Sequence, residues 1–408
     1  MLQLRHVQEL PGAGGPVSRR GGGHVSRERP IIHPGDFRWE THLLLIVTAA
    51  LVVFGLASMY GASSIVSGNQ GFAGSSLALR QLSGAMVGTI LLLVAARVDY
   101  HLWRAMAWPI LLATIALLLI LVLPFTTAVA PASHGARRWI RFGVLSFQPS
   151  EVARLAVVVW CAMLAAKKGP QVRRFKKGVL PFLVILGLVS GLIMLEPDLS
   201  MATLVALVGG IVLFTAGAKI GHFLLLGMGG ILLVFHQIRD AQYRLARFTT
   251  FLNPGEGGSD AALQIQQSLI GMGSGRIMGV GFGEGQQKLG FLPLAYSDFL
   301  FSTIGEEWGF LGVVLVVLLF GLFAWLGFRI ARTAADPFGQ YLAAGITASV
   351  VVTAAMHMAV TLGLMPTTGL TLPFMSHGRT SLVVALLGTG ILINIGSRRG
   401  RPPKPKSR

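Results

Sequence analysis

Ten apolar runs dominate this sequence, near residues 42–62, 80–97, 103–125, 150–167, 179–196, 198–217, 221–237, 298–328, 339–362 and 378–396. Each is long enough, or nearly so, to cross a hydrocarbon core of roughly 30 Å. In lipid every backbone amide and carbonyl must find its partner inside the segment, so runs of this length fold as helices. Of the 408 residues, 53% are hydrophobic and only 12% charged, which excludes a water-soluble domain built on one apolar core. The expectation is an all-α polytopic membrane protein with about ten transmembrane helices.

The single cysteine, Cys161, lies inside an apolar run, so an intrachain disulfide and a cysteine-rich metal site are excluded. A net charge of +18 would suggest nucleic acid in a soluble chain. Here most Lys and Arg lie in short segments between the runs, where they set topology, and nucleic acid is not an expected partner. With the amino terminus inside, the inner segments hold 23 Lys and Arg and the outer ones ten. Five of those ten sit in the long 237–297 loop, which the positive-inside rule largely ignores. Both termini are therefore expected in the cytoplasm. Residues 1–38, rich in Gly, Pro and Arg and lacking a signal-peptide core, read as a disordered basic tail. Residues 39–396 form the membrane domain, and 397–408 are a second basic tail. This orientation gathers residues 126–148, the Glu196-Pro197-Asp198 corner, the extracytoplasmic 237–297 loop and residues 363–377 on the outer face. Irregular backbone is tolerated there only against water or protein, which marks that face as the active one.

On it, residues 264–310 carry a glycine-rich approach into an apolar run that holds Asp298, Glu306 and Glu307. Carboxylates at a membrane edge are expensive and are candidate functional residues. The glycines at 271, 273, 275, 279, 281, 283 and 285 spell no nucleotide-binding signature, and close packing of backbone explains them as well as ligand approach does.

Four further clusters share this face. In residues 134–154, Pro149 and Glu151 suit a helix start, while Arg154 follows Glu151 by three residues on the same helix face. Arg154 either pairs with Glu151 or, helped by Arg137 and Arg138, receives an anionic head group. Pro197 stops one helix and Asp198 can cap the next. In residues 243–254, Arg244, Arg247, Phe248 and Phe251 have the spacing of an amphipathic helix lying at the interface. Residues 364–381 are broken by Pro366, Gly369, Pro373 and Gly378 and bring hydroxyls, among them Ser381, together with His377 into a candidate polar cavity. His357, inside the ninth run, reads as a helix-to-helix hydrogen-bonding group.

The motifs GARRWI, FQPSEVAR, EPDLS, YRLARFTTFLNP, QSLIGMGSG, GVGFGEGQQKLGFLPLAYSDF, IGEEWGFLG and GLMPTTGLTLPFMSHGRTSL occur in this order on the ten-run layout. In this the chain resembles the SEDS family (shape, elongation, division and sporulation) from about His42 to Gly396, and the Gln287-Lys288 pair resembles its division and sporulation branch. The resemblance implies a peptidoglycan glycosyltransferase of the bacterial cytoplasmic membrane that polymerises lipid II beside a class B penicillin-binding protein and other divisome proteins. It places the family's essential aspartate on Asp298 and its substrate-facing Glu and cation on Glu151 and Arg154. The chain departs from the family where most relatives have Lys in place of Arg154, and where it has His377-Gly378-Arg379 and Tyr296-Ser297.

Converting an α-linked pyrophosphate donor into a β-linked glycan requires inversion, hence one displacement with a base for the acceptor hydroxyl. Asp298 is the expected base. Glu151, Arg154, Arg138, Lys288, Asp198, Gln287, His377 and Ser381 are the expected substrate-binding residues, the cations among them carrying the pyrophosphate charge. No His or Cys cluster supports a tightly bound metal, although a divalent cation, Mg or Mn, could assist the leaving group. A lipid II flippase and a non-catalytic scaffold for the transpeptidase are the alternatives. The inner halves of the runs are nearly free of charge, which disfavours a flippase path.

Overall fold

The computed structural model describes residues 38–398, apart from 70–75, 124–125, 127–129, 132–136, 143–144, 240 and 253–259. The two basic tails therefore lie almost wholly outside the described residues. Helices α1 (Arg38–Asn69), α2 (Ser76–Arg97), α3 (His101–Ala105) and α4 (Ala107–Val122) lead to a short antiparallel hairpin of β1 (Ile140–Phe142) and β2 (Leu145–Phe147). Then come α5 (Pro149–Lys168), α6 (Leu180–Leu195), α7 (Leu199–Thr215), α8 (Ile220–Arg239), α9 (Gln242–Leu252) and α10 (Asp260–Ser274). The chain ends with α11 (Leu300–Arg332), α12 (Pro337–Thr361) and α13 (Arg379–Ser397).

Among the described residues eight helices are long and apolar enough to cross a membrane, and two shorter apolar ones, α4 and α7, occupy the remaining expected runs. Two details differ from expectation. The third run is interrupted at Met106, whose backbone leaves the helical region and separates α3 from α4. The stretch from 237 to 297 is built rather than open, since it carries α9, α10 and a 3-10 turn at Gln287–Leu289.

Burial separates the centre of the bundle from its rim. The spans of α5, α13 and α12 are 78%, 72% and 67% buried, whereas that of α8 is 0% buried and presents Leu224, Ile231 and Leu233 outward. Lipid is as apolar as leucine, so helices meet where small residues let backbones approach. Gly345 of α12 receives Val158 of α5 and Val212 of α7, and Gly390 of α13 lies against the backbone of α2 at Leu92. The end of the bundle where α2 and α11 finish is tied by polar groups. Asp336 caps α12 through Phe338 N at 3.1 Å and accepts from the Tyr100 hydroxyl, while Asn394 accepts from Tyr100 N at 3.0 Å.

At the other end α11 is broken. Gly309 has φ 65° and ψ −161°, far from helical values, so the turn before it lacks its usual partners. The backbone of 276–281 crosses there and supplies them. Val280 N donates to Glu306 O (2.9 Å), Gly281 N to Glu307 O (3.2 Å), and Phe310 N to Arg276 O (2.9 Å). A Cβ on Gly309 would collide with Gly279 N and Ile277 O, and one on Gly279 with the Glu307 carbonyl. These glycines are there for backbone contact.

Gly309→Ala must combine a left-handed backbone, about 1–3 kcal/mol of strain, with overlap against 277–279. Its thermal unfolding midpoint in detergent should fall by several degrees. Gly321→Ala, at a helical position of α11 with open space beside it, should leave the midpoint unchanged or raised. Equal midpoints for the two variants would show that the crossing does not hold the helix.

Candidate functional site

Asp298 stands just before α11, at the end of the bundle where the glycine crossing lies. The helix is capped by Phe299, with no side-chain capping bond, so Asp298 is not spent on the helix terminus. Its Oδ1 accepts from Ser297 Oγ at 2.8 Å, and its Oδ2 faces Gly369 in the broken 364–378 segment. Burial pushes this carboxyl up to about 6, against the Ser297 hydrogen bond and the charges of Arg247 and Arg138, which favour the ionised form. Asp198 nearby adds a smaller upward push.

Arg138 and Asp198 belong to one constellation with Asp298. Asp198 caps α7 by accepting from Met201 N at 3.0 Å, the structural role its position after Pro197 suggests. Arg138 lies 3.9 Å from Asp198 Oδ2 and donates to the carbonyls of Glu196 and Pro197. Glu196 itself is buried, and neither carboxyl oxygen has a hydrogen-bond partner among the described residues. Burial first and the Asp198 charge next push it up to about 9, against Arg138, which leaves it protonated at neutral pH.

The 364–378 segment closes over these groups. His377 N donates to Tyr296 O at 3.1 Å and its ring meets Tyr296 edge to face, while Ser297 Oγ reaches His377 O at 3.4 Å. Burial, with Arg379 and Arg80 adding to it, lowers His377 to about 4, so the ring is neutral. Its Nδ1 and the hydroxyls of Thr367, Thr368, Thr371 and Ser381 are buried without hydrogen-bond partners among the described residues. Buried polar groups are normally satisfied, so a patch of unpartnered donors and acceptors beside a carboxylate fits a hydroxyl-rich ligand.

Glu151 and Arg154 pair with each other and with α12, although Arg154 Nε is buried without a hydrogen-bond partner among the described residues. Arg154 Nη2 meets Glu151 Oε2 at 2.8 Å, and Nη1 donates to Thr353 Oγ1 at 2.8 Å. The start of α5 is joined to that of α13 by Gln148 N on Thr380 Oγ1 (3.1 Å) and Arg379 on Ser146 Oγ (2.9 Å), which brings the pair toward Ser381.

Gln287 and Lys288 face elsewhere. Lys288 Nζ donates to Glu307 Oε1 at 2.9 Å with both side chains buried, and Glu306 accepts from the amides of Gln286 (2.7 Å) and Gln287 (3.3 Å). These carboxylates pin the glycine-rich loop to α11. Arg247 was not among the expected site residues. Its spacing with Arg244 and Phe251 marks an amphipathic helix, which α9 is, and Arg247, exposed on that helix, reaches Thr367 O and contributes to the field on Asp298.

Three comparisons bear on this arrangement. Residues 41–400 match the family model of FtsW, RodA and SpoVE, described as "Cell cycle protein". The chain is 38% identical over 361 residues to a probable peptidoglycan glycosyltransferase FtsW of Geobacter sulfurreducens, covering 88% of this chain and 96% of the relative. It is 37% identical over 353 residues to stage V sporulation protein E of Bacillus subtilis, covering 86% and 96%. Among solved structures it is similar to a chain of a peptidoglycan synthase complex that coordinates polymerization and crosslinking, with TM-score 0.71, 26% identity and 88% and 98% coverage. It is also similar to the rod shape determining protein RodA of Thermus thermophilus, with TM-score 0.65, 25% identity and 88% and 97% coverage. Ten apolar helices among the described residues, a carboxylate at the mouth of the longest and a family match over nearly the whole described chain converge: this protein belongs to the FtsW/RodA/SpoVE family of multi-pass membrane proteins.

Proposed function

We propose that this chain is a peptidoglycan glycosyltransferase that polymerises lipid II at the outer face of the bacterial cytoplasmic membrane during cell division, with a class B penicillin-binding protein crosslinking its product beside other divisome proteins. The observation that carries it is Asp298, a desolvated carboxylate that caps nothing, stands in the field of Arg247 and Arg138, and is walled by unpartnered hydroxyls. A scaffold has no use for such a group. The relatives' names point the same way.

In the reaction, the acceptor hydroxyl attacks the anomeric carbon of the donor sugar, its proton passes to Asp298, and the bond from that carbon to the polyprenyl pyrophosphate oxygen breaks. One displacement inverts the configuration. Arg138 and Arg247 lie where they can hold the departing pyrophosphate. Arg154 supports it from the α5 end, bound to Glu151. Asp198, His377 and Ser381 line the sugar side, and Lys288 with Gln287 acts on substrate only through the loop that Glu306 and Glu307 hold. Among the described residues no three His, Cys, Asp or Glu side chains converge to hold a metal ion by themselves, while a divalent cation, Mg or Mn, entering with the pyrophosphate would need only one or two carboxylates from the protein.

Asp298→Asn keeps shape and hydrogen bonding but loses basicity. General-base contributions run to about 10²–10⁴-fold, so labelled lipid II given to the variant with its transpeptidase should yield no long strands, while its unfolding midpoint and transpeptidase binding match the parent. Robust synthesis by this variant would sink the assignment. The base must be ionised to work, so strand synthesis by the parent should rise with pH and level off above about 6, the value to which burial pushes Asp298. A rate that does not change between pH 5 and 7 would point to another base.

Arg154→Ala strands Glu151 in a buried site, and loss of one partner of a buried pair costs about 3–5 kcal/mol. Stability and synthesis should fall together. Arg154→Lys keeps the charge and should keep much of the synthesis if charge on substrate is what matters. Equal loss in both variants would assign Arg154 to fold alone. Both termini are proposed to be cytoplasmic, so reporter fusions at Lys404 and Gly257 should read opposite sides of the membrane. The same side for both would overturn the orientation.

A further inference from the structure

The two peptide units that flank His377 are gripped from both sides, and one grip comes from a helix that carries none of the site residues above. Gln81, in the first turns of α2, is wholly buried. Its Nε2 donates to Ser376 O at 2.9 Å, and its Oε1 accepts from Gly378 N at 3.1 Å. The remaining polar groups of the same two peptide units face the loop before α11. His377 N donates to Tyr296 O at 3.1 Å. Ser297 Oγ, which gives its hydrogen to Asp298 Oδ1 at 2.8 Å, has His377 O as a second acceptor at 3.4 Å. The backbone of His377 thus stands like a short strand between the Gln81 amide and the Tyr296-Ser297 pair, and that pair leads directly to Asp298.

The packing of α2 on α13 explains how a side chain of α2 comes to do this. Gly84 lies against Arg379 at the first residue of α13, and Gly88 against Leu386. Gln81 is three residues before Gly84 on the same helix face, so it reaches past the start of α13 to the residues that precede it. α13 has no side-chain cap of its own, and its N-cap residue is Gly378. The turn just before is strained. Phe374 has φ 67°, a left-handed backbone rare for a residue with a side chain, and its ring is buried 5.5 Å from that of Phe323. Met375 lies so close to α1 that a Cβ on Gly55 would overlap its Cα. Such a backbone persists only where its surroundings over-determine it, and an amide with both its groups engaged fixes where the turn ends. We propose that Gln81 is a positioning residue for the reaction, holding the peptide planes of His377 and, through Ser297, the carboxylate of Asp298. This rests on the reading of Asp298 as the base in strand synthesis. A tie serving only to join α2 to α13 has no need to end on both peptide units of residue 377, because the glycine contacts already join those helices.

The test is the rate of strand synthesis by the full-length protein with its transpeptidase and labelled lipid II. Gln81→Met keeps the length of the side chain and removes the amide. It should lower kcat about tenfold, with KM for lipid II changed less, since two buried peptide groups lose their partners and the base loses its support. Ser297→Ala breaks the link to Asp298 and should lower kcat likewise. The double variant should lose less than about threefold beyond the poorer single variant, because changes along one chain of contacts do not add. A loss in the double variant equal to the product of the single losses would overturn the role, and so would a parental kcat in Gln81→Met. Where Gln81→Met does not fold, Gln81→Asn, whose amide is one methylene too short to reach both peptide units, takes its place in the same cycle. A second readout needs no synthesis. Cys161, the single cysteine of the chain, is buried in α5, so a Thr371→Cys substitution beside Gly378 gives one reporter thiol on the segment. Maleimide should label it several-fold faster in the Gln81→Met background while Cys161 stays unlabelled, and equal labelling in both backgrounds would refute the clamp. Absence of strands from the parent would overturn the proposed reaction itself, whereas strands from the parent with an unaltered rate in the Gln81 variants would overturn only the role of Gln81.

Discussion

The crossing of a glycine-rich strand of backbone over the first turns of α11 is the contact on which the rest of the active end depends. A helix broken at Gly309 would leave carbonyls and amides unsatisfied near lipid, where each such group costs several kcal/mol. Residues 276–281 satisfy them, and only glycine at 279 and 309 lets two backbones come that close. Two side-chain clamps then lock the loop, Glu306 on the amides of Gln286 and Gln287 and Glu307 on the Lys288 ammonium. Because the loop from 281 to 297 is anchored at both ends, Asp298 is delivered to one place. The base proposed at Asp298 would have to be positioned within fractions of an ångström, and this clamp gives its loop the stiffness of a helix.

The buried charges divide by task. Glu151 with Arg154 and Lys288 with Glu307 are closed pairs, each 2.8–2.9 Å apart and shielded from solvent. Buried ion pairs of this kind seldom add net stability, but they tolerate no loss of one partner, so they fix register between elements. Arg154 joins α5 to α12 and Lys288 joins the loop to α11. Asp298 is different. Its carboxyl accepts from the neutral Ser297 hydroxyl, and the charges of Arg247 and Arg138 favour its ionised form.

The fold was legible because its dominant signal is long. Runs of apolar residues declare helices however they pack, and all ten appear. The break at Met106 is marked in LWRAMAWP only by Pro109, which cannot donate to the Ala105 carbonyl and falls in the first turn of α4, a signal the apolar length of the run masks. At the site, the sequence declares its local chemistry and no more. Proline before Asp198 announced a cap, and the cap is there. The three-residue spacing of Glu151 and Arg154 announced a pair, and the pair is there. What failed was partner choice across distance. Lys288 reads as a free cation until α11 folds back and places Glu307, nineteen residues on, against it. Arg247 reads as the polar side of an interfacial helix, because a period of three cannot say whether that side faces water or the protein.

Glu196 shows how the site keeps its acids apart. Three carboxyls, Glu196, Asp198 and Asp298, lie within one another's electrostatic reach, and like charges so placed cannot all ionise cheaply. The structure resolves the conflict by environment. Asp198 accepts from the amide of Met201 and caps the start of α7. Glu196 is buried with no donor and holds its proton. That leaves Asp298 as the carboxyl whose ionisation falls near neutrality, with a protonated acid and a capped one for neighbours in place of two free anions. Environment is what sets the proton affinities of neighbouring carboxyls apart, and here the proline corner puts Glu196 inside, where burial pushes it further up than Asp298.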